Sequence, residues 1–155
     1  MRTINLLSGI PASGKTTHVK ANAQLTDIIL SRDEWREKRG GYQAGEDKAW
    51  TAHIMATLAK NKAADIWIDQ TTIGIGALEK WLKNIAITQS DRIIVHVLSM
   101  PLETCLERNS KRTGNALVPE SQLRHMYENH MSTPITADAI AKLMLPYEVC
   151  LRVYK

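Results

Sequence analysis

Short apolar runs alternate with amphipathic stretches along this chain, and the alternation predicts strand and helix in turn. Ile4-Asn5-Leu6-Leu7 is an apolar run that stops before Gly9 and reads as a strand. A helix is expected from about Lys15 to Gln24. Ile28-Ile29-Leu30, rich in β-branched side chains, gives a second strand. Another helix should start near Asp33, where an acidic pair suits the positive end of a helix. The segment 47–62 carries Trp50, Ile54 and Leu58 at helical spacing, and Ile66-Trp67-Ile68 is a third strand. Leu78, Trp81, Leu82 and Ile85 then mark one apolar face of a helix. Residues 92–98 read as a fourth strand. Pro101 fits the first turn of a helix carrying Leu102, Cys105 and Leu106, which continues until Gly114. Pro119 opens a further helix with Leu123, Met126, Tyr127 and His130 in register. Thr136–Leu145 reads as helix, with Ala137, Ile140, Ala141 and Met144 on one face and Pro146 as the stop. Tyr147, Val149, Leu151 and Val153 alternate, predicting a half-buried last strand.

Strands separated by helices need crossover connections. The expected class is therefore α/β, with a central, mainly parallel sheet of about five strands and helices on both faces. Ligands of such sheets bind beyond the carboxyl ends of the strands, which says where chemistry belongs. With 155 residues, one domain spanning 1–155 is expected. Hydrophobic residues at 44% and charged residues at 23% are the balance of a globular protein. No apolar run reaches the roughly 18 residues of a membrane span, and Met1-Arg2-Thr3 opens no signal-peptide pattern, so a cytoplasmic protein is expected. Cys105 and Cys150 form no C-x-x-C pair and read as buried thiols. The histidines show no metal or triad spacing. A net charge of +4 does not identify a nucleic-acid binder by itself. Its distribution is more informative, because basic residues gather at Arg32, Arg36, Lys38 and Arg39 and again at Arg108, Lys111 and Arg112.

Residues 9–16 read Gly9-Ile10-Pro11-Ala12-Ser13-Gly14-Lys15-Thr16, a full match to G-x-x-x-x-G-K-[ST], with a strand before it and a helix after it. Backbone N–H groups in such a loop converge on phosphate oxygens, helped by the free N–H groups of the following helix. This assigns a P-loop NTPase fold and a nucleoside triphosphate, most simply ATP, bound by residues 9–17 including Thr17. Lys15 reaches the β- and γ-phosphates, and the Thr16 hydroxyl is a Mg²⁺ ligand. The loop identifies the triphosphate and leaves the acceptor open.

Two other strand ends carry carboxylates to the same side. The second ends at Ser31-Arg32-Asp33-Glu34-Trp35-Arg36 and the third at Asp69-Gln70-Thr71-Thr72. A hydroxyl acceptor needs a group to take its proton, so Asp33 is the candidate general base, with an ordinary first-turn acid or helix cap as the alternative. Arg36, one turn on, can grip an anionic group of the acceptor. Asp69 serves the site or a structural contact. Arg108 and Arg112 share a helix face beside Thr113-Gly114-Asn115. They read either as a lid with a flexible hinge, closing over the triphosphate, or as a solvated basic turn.

Together these pieces resemble the kinase domain of the phage-type 5′-polynucleotide kinases. Ser31-Arg32-Asp33-Glu34-Trp35-Arg36 looks like that family's R-D-[DE]-x-R motif. Glu107-Arg108-Asn109-Ser110-Lys111-Arg112, then Val118-Pro119 and Leu123-Arg124-His125-Met126-Tyr127, look like its lid, here about 101–131. The resemblance implies transfer of the γ-phosphate of ATP, with Mg²⁺, to the 5′-OH ends of DNA or RNA. It implies Asp33 as base, Arg36 on the phosphate 3′ of the acceptor nucleotide, Arg112 with Lys15 on the donor phosphates, and Asp69 positioning the acceptor. Arg108 lies in the motif. The strand-end motif departs from the family's, since Asp69 is followed by Gln70-Thr71-Thr72 where the family has Thr-Asn. No D-x-D-G-T phosphatase signature is present, so kinase activity alone is expected, without a membrane partner; the sequence fixes no subunit number. Trp35 and Trp50 read as core, with base stacking as the alternative. Two other readings share the loop: a kinase of a small metabolite, nucleoside or sugar, and an ATP-binding module without catalysis.

Overall fold

A computed structural model describes residues 2–85, 87, 88 and 90–155; Met1, where the N-terminal reading starts, lies outside them. Five strands alternate with helices: β1 Thr3–Ser8, α1 Lys15–Asn22, β2 Ile28–Ser31, α2 Arg32–Lys38, α3 Glu46–Lys60, β3 Ile66–Asp69, α4 Gly74–Asn84 and β4 Arg92–Leu98. Then follow α5 Leu102–Ser110, a 3₁₀ turn Gly114–Ala116, α6 Glu120–Ser132, α7 Ala137–Ala141 and β5 Val149–Tyr154. The sheet order is β2-β3-β1-β4-β5, and every pairing is parallel. The expected α/β architecture is therefore the one observed.

Strand periodicity sorts the core. Ile4, Leu6, Ile66, Ile68, Ile93, Val95 and Val97 face Trp50, Ile54 and Leu58 of α3, Leu78 and Leu82 of α4, and Ile140 of α7. Leu7 and Trp67, one residue out of phase, turn to the opposite face and pack on Val19 of α1. A third cluster joins Ile10 and Ala12 of the loop after β1 to Cys105 of α5 and Leu123 of α6. Each fully buried Leu or Ile contributes about 1.5–3 kcal/mol relative to exposure. The third cluster thus ties the conformation of that loop to two helices distant in sequence.

The register places the strand ends in one row. Leu6 lies opposite Ile68, Ser31 opposite Asp69 and Ser8 opposite Val97. At the other end of the sheet Arg2 is buried and locked to Asp91 by Nε–Oδ1 and Nη2–Oδ2 bonds of 3.0 and 2.8 Å, and also donates to Leu58 O.

Three expectations need correction. The helix predicted to reach Leu145 ends at Ala141, and Met144 stands exposed at φ 55° instead of joining the apolar face. Backbone in the left-handed region cannot continue a helix, so the chain turns before Pro146. In β5, Val149 and Leu151 pack on the core as predicted, but Val153, near the end of this edge strand, joins no core cluster and is exposed. Cys105 is buried, whereas Cys150 is half-buried on the same edge strand.

Candidate active site

The loop between β1 and α1 is shaped by two close requirements. A Cβ at Gly9 would lie 2.5 Å from Ser13 Oγ and 3.1 Å from Leu98 O, so no side chain fits there. Gly14 sits at φ 97° and Ala12 at φ 65°. The left-handed backbone at Ala12 costs about 1–2 kcal/mol, which its packing against Cys105 and Leu123 offsets. Such alternation of backbone hand turns successive N–H groups into a concavity suited to an anion. No side chain caps α1, so the N–H groups of its first turn stay free for a ligand.

Lys15 is buried, and its Nζ donates to Gly9 O (2.9 Å) and Ile10 O (3.0 Å). Burial pulls its pKa down to about 8, partly opposed by the charges of Asp69 and Asp33. An arriving phosphate would favour the charged form. Thr16 Oγ1 donates to Asp69 Oδ2 at 2.7 Å. Burial raises the Asp69 pKa, against the Thr16 hydrogen bond and the Lys15 charge.

Ser31 caps α2 by accepting from Glu34 N, so Asp33 is not the helix cap. Its carboxylate, 90% exposed, lies at the mouth of the cleft, 3.4 Å from Arg36 Nη1. Arg36 is held from its other side by a residue that the sequence reading missed. Glu46, its side chain 2% exposed, accepts from Arg36 Nε and Nη2 at 2.6 Å each and from Arg32 Nε and Nη2 at 3.2 and 2.9 Å. The Arg36 hydrogen bonds, outweighing burial and aided by Arg32, hold the Glu46 carboxyl down at about 2. Arg32 also pairs with Asp47. The signal for it is Gly45 followed by an acid at a helix start, one residue before the helix start expected at 47.

The segment expected to act as a lid, about 101–131, contains α5 and α6. Buried Asn109 clamps the connection between them, donating to Val118 O at 2.7 Å and accepting from Val118 N at 3.0 Å. The segment expected as a hinge, 113–115, runs into a 3₁₀ turn at Gly114–Ala116. Arg112 lines the cleft, and its Nη1 donates to Ala116 O at 3.5 Å. Arg108 is outside the cleft lining; its Nη1 reaches Ala12 O at 3.4 Å and so braces the loop.

These elements enclose one cleft of about 600 Å³ whose walls include Lys15, Thr16, Asp33, Arg36, Asp69 and Arg112. Over residues 4–132 the sequence matches the profile of a family described as AAA domain. The chain belongs to this family. A protein of Autographa californica nuclear polyhedrosis virus, provisionally named bifunctional polynucleotide kinase/RNA ligase, is 26% identical over 144 residues, covering 81% of this chain and 20% of that one. Among solved structures, a chain of the Pnkp1/Rnl/Hen1 RNA repair complex superposes with a TM-score of 0.73 at 21% identity, over 85% of this chain and 45% of that one. A sugar kinase from Janibacter sp. HTCC2649 superposes at 0.56 and 17% identity, over 99% and 85%. This AAA-domain protein thus spans a fifth of the curated relative it matches and under half of the repair-complex chain. Its fold is that of the P-loop kinases.

Within this AAA-domain chain Pro11, Ala12, Gly14, Lys15, Thr16, Thr17, Asp33, Arg36, Asp69 and Arg112 of the predicted residues line the cleft, whereas Gly9, Ile10, Ser13 and Arg108 do not. Asp69 is hydrogen-bonded to Thr16, not to Asp33 or Arg36. Gln70 does not reach into the cleft as a free side chain: its Oε1 accepts from Trp50 Nε1 at 2.5 Å and its Nε2 donates to Thr72 Oγ1 at 3.1 Å. Trp50 is buried core, and Trp35 is tilted on it beneath Arg39. The exposed aromatic at the cleft is Tyr42. Among the described residues no group of three His, Cys, Asp or Glu side chains could hold a metal. A Mg²⁺ here fits the hard-oxygen pair Thr16–Asp69, completed by substrate phosphates and water. Among the described residues no helix is long and apolar enough to cross a membrane.

Proposed function

We propose that this chain is a polynucleotide 5′-hydroxyl kinase that uses ATP. The observation that carries the reading is the Asp33–Arg36–Glu46 array, set in the same cleft as Lys15 and the Thr16–Asp69 pair. The phosphate loop and Lys15 hold the β- and γ-phosphates of ATP. Thr16 and Asp69 would hold Mg²⁺, which would supply charge neutralisation on those phosphates. Asp69 is thereby moved from the acceptor to the donor side.

Glu46 fixes Arg36 as a rigid cation, and Arg36 binds the phosphate 3′ of the terminal nucleotide. This sets the 5′-hydroxyl beside Asp33. The hydroxyl oxygen attacks the γ-phosphorus in line with the β–γ bridging oxygen. The new O–P bond forms as the bridge to ADP breaks, and the hydroxyl proton passes to Asp33. Arg112, carried on the lid 101–131, stabilises charge on the transferred group. A few gripped phosphates suit the modest net charge of +4, and affinity should fall as salt rises. The names of the relative and of the repair complex support this substrate class.

The test uses γ-labelled ATP, Mg²⁺ and a panel of 5′-OH DNA, 5′-OH RNA, mononucleotides and sugars. Label should appear on polynucleotide ends. Asp33→Asn should keep ATP binding and lose transfer. Label on a sugar alone would replace this reading with that of a metabolite kinase, and full transfer by Asp33→Asn would remove Asp33 as the base.

A further inference from the structure

Beside the cleft lies a second groove, of about 760 Å³, along the seam between α3 and α4. Arg32, Asp47, Gln70 and Thr71 line both spaces, so the two are continuous. The junction is on the acceptor side, since none of the phosphate-loop residues 9–17 lines the groove. Its rims carry Lys48 from α3 and Lys80 from α4, both exposed, and neither makes an ion pair among the described residues. The one carboxylate in the lining, Asp47, is already paired with Arg32. Trp81, next to Lys80 on α4, also lines the groove; it packs against the core and is half-buried.

We propose that this groove is the track for the acceptor strand beyond its first phosphate, occupied by single-stranded nucleic acid. The proposal rests on the polynucleotide reading above. Exposed cations and a half-buried aromatic side chain lining one groove match a strand whose phosphates meet the cations and whose bases can stack. An acceptor that ended at Arg36 would leave this continuation without a use. The surplus of two free cations over the neutralised Asp47 favours a polyanion over an apolar protein segment.

The test compares KM for a nucleoside 3′-phosphate with KM for a 5′-OH hexanucleotide, in wild type and in Lys48→Ala/Lys80→Ala, both exposed positions that do not threaten the fold. Wild type should prefer the hexamer, and the double variant should lose most of that preference. The slope of log KM against log salt should become shallower by about 0.7 per lysine removed. Trp81→Leu, checked for folding by its melting curve, should raise the hexamer KM about fivefold or more through lost stacking. A double variant with wild-type preference and salt slope overturns the proposal, as does a wild type that uses both acceptors equally well. If no polynucleotide is labelled at all, the kinase reading falls first and the groove assignment falls with it.

Discussion

Glu46→Gln removes one charge and almost no volume from the acceptor side of the cleft. The folded carboxyl titrates at about 2 against an ordinary value of 4.5, chiefly through Arg36. That difference corresponds to about 3 kcal/mol in favour of the ionised form. Arg32 and Arg36 keep 22% and 33% of their side chains exposed, so they recover some hydration when the partner is lost. The expected net loss at neutral pH is about 2–3 kcal/mol, a fall in Tm of about 4–12 °C for a chain this long.

Because the folded pKa is depressed, the ionised carboxylate stabilises the wild type fully above about pH 4.5, and this contribution is lost as pH falls toward about 2. The Tm gap between wild type and variant should therefore narrow over that window. Arg36, left with at most one of its two 2.6 Å bonds to residue 46 and with no charge there, should grip the acceptor less well although it is still near Asp33. KM for a 5′-OH oligonucleotide should rise about tenfold, the equivalent of one charged hydrogen bond, while KM for ATP changes little. Thermal melting across pH and steady-state kinetics check both parts. An unchanged Tm, or a rise confined to the KM for ATP, would refute the argument that Glu46 organises the acceptor side.

Other consequences are open to similar measurement. Asp69→Asn should raise the Mg²⁺ concentration needed for half-maximal transfer by about 10-fold or more, with Tm nearly constant; an unaltered Mg²⁺ titration would remove Asp69 from the metal site. Asp91→Ala leaves Arg2 buried without its carboxylate and should cost about 3–5 kcal/mol in urea unfolding. Burial opposes the charge on Asp91, but the Arg2 and Thr88 hydrogen bonds win and hold its pKa down, so the stability it supplies should fade only as pH drops below the usual carboxylate range. Gly9→Ala meets Ser13 Oγ at 2.5 Å and the Leu98 carbonyl at 3.1 Å, so it should weaken binding of a fluorescent ATP analogue; wild-type affinity would show that the loop yields without penalty.

Local chemistry was legible in the sequence because it depends on neighbours along the chain. Residues 9–16 dictate a turn-to-helix conformation by themselves, and the spacing of Leu78, Trp81, Leu82 and Ile85 fixes a buried face in α4. The same local rules gave the five strands. The parallel register could then bring Ser31, Asp69 and the loop after Ser8 into one row. Where local pattern misled, a long-range contact or its absence was responsible. Met144 matched a helical face, yet the chain had already turned into left-handed backbone. Val153 matches the strand face of Val149 and Leu151, yet it lies near the open end of an edge strand, outside the core cluster.

The arrangement around Asp33 and Arg36 was decided by tertiary structure. Asp33 and Arg36 stand out as a motif, but their spacing cannot say that Glu46 arrives across the intervening loop to hold Arg36 and Arg32 together. Nor can it say that Asp69 spends its carboxylate on Thr16 or that Asn109 clamps the lid connection to Val118. Periodicity reports which side of an element meets the core. Pairing between side chains on different elements depends on where those elements stop and pack, and that is set by the whole fold at once.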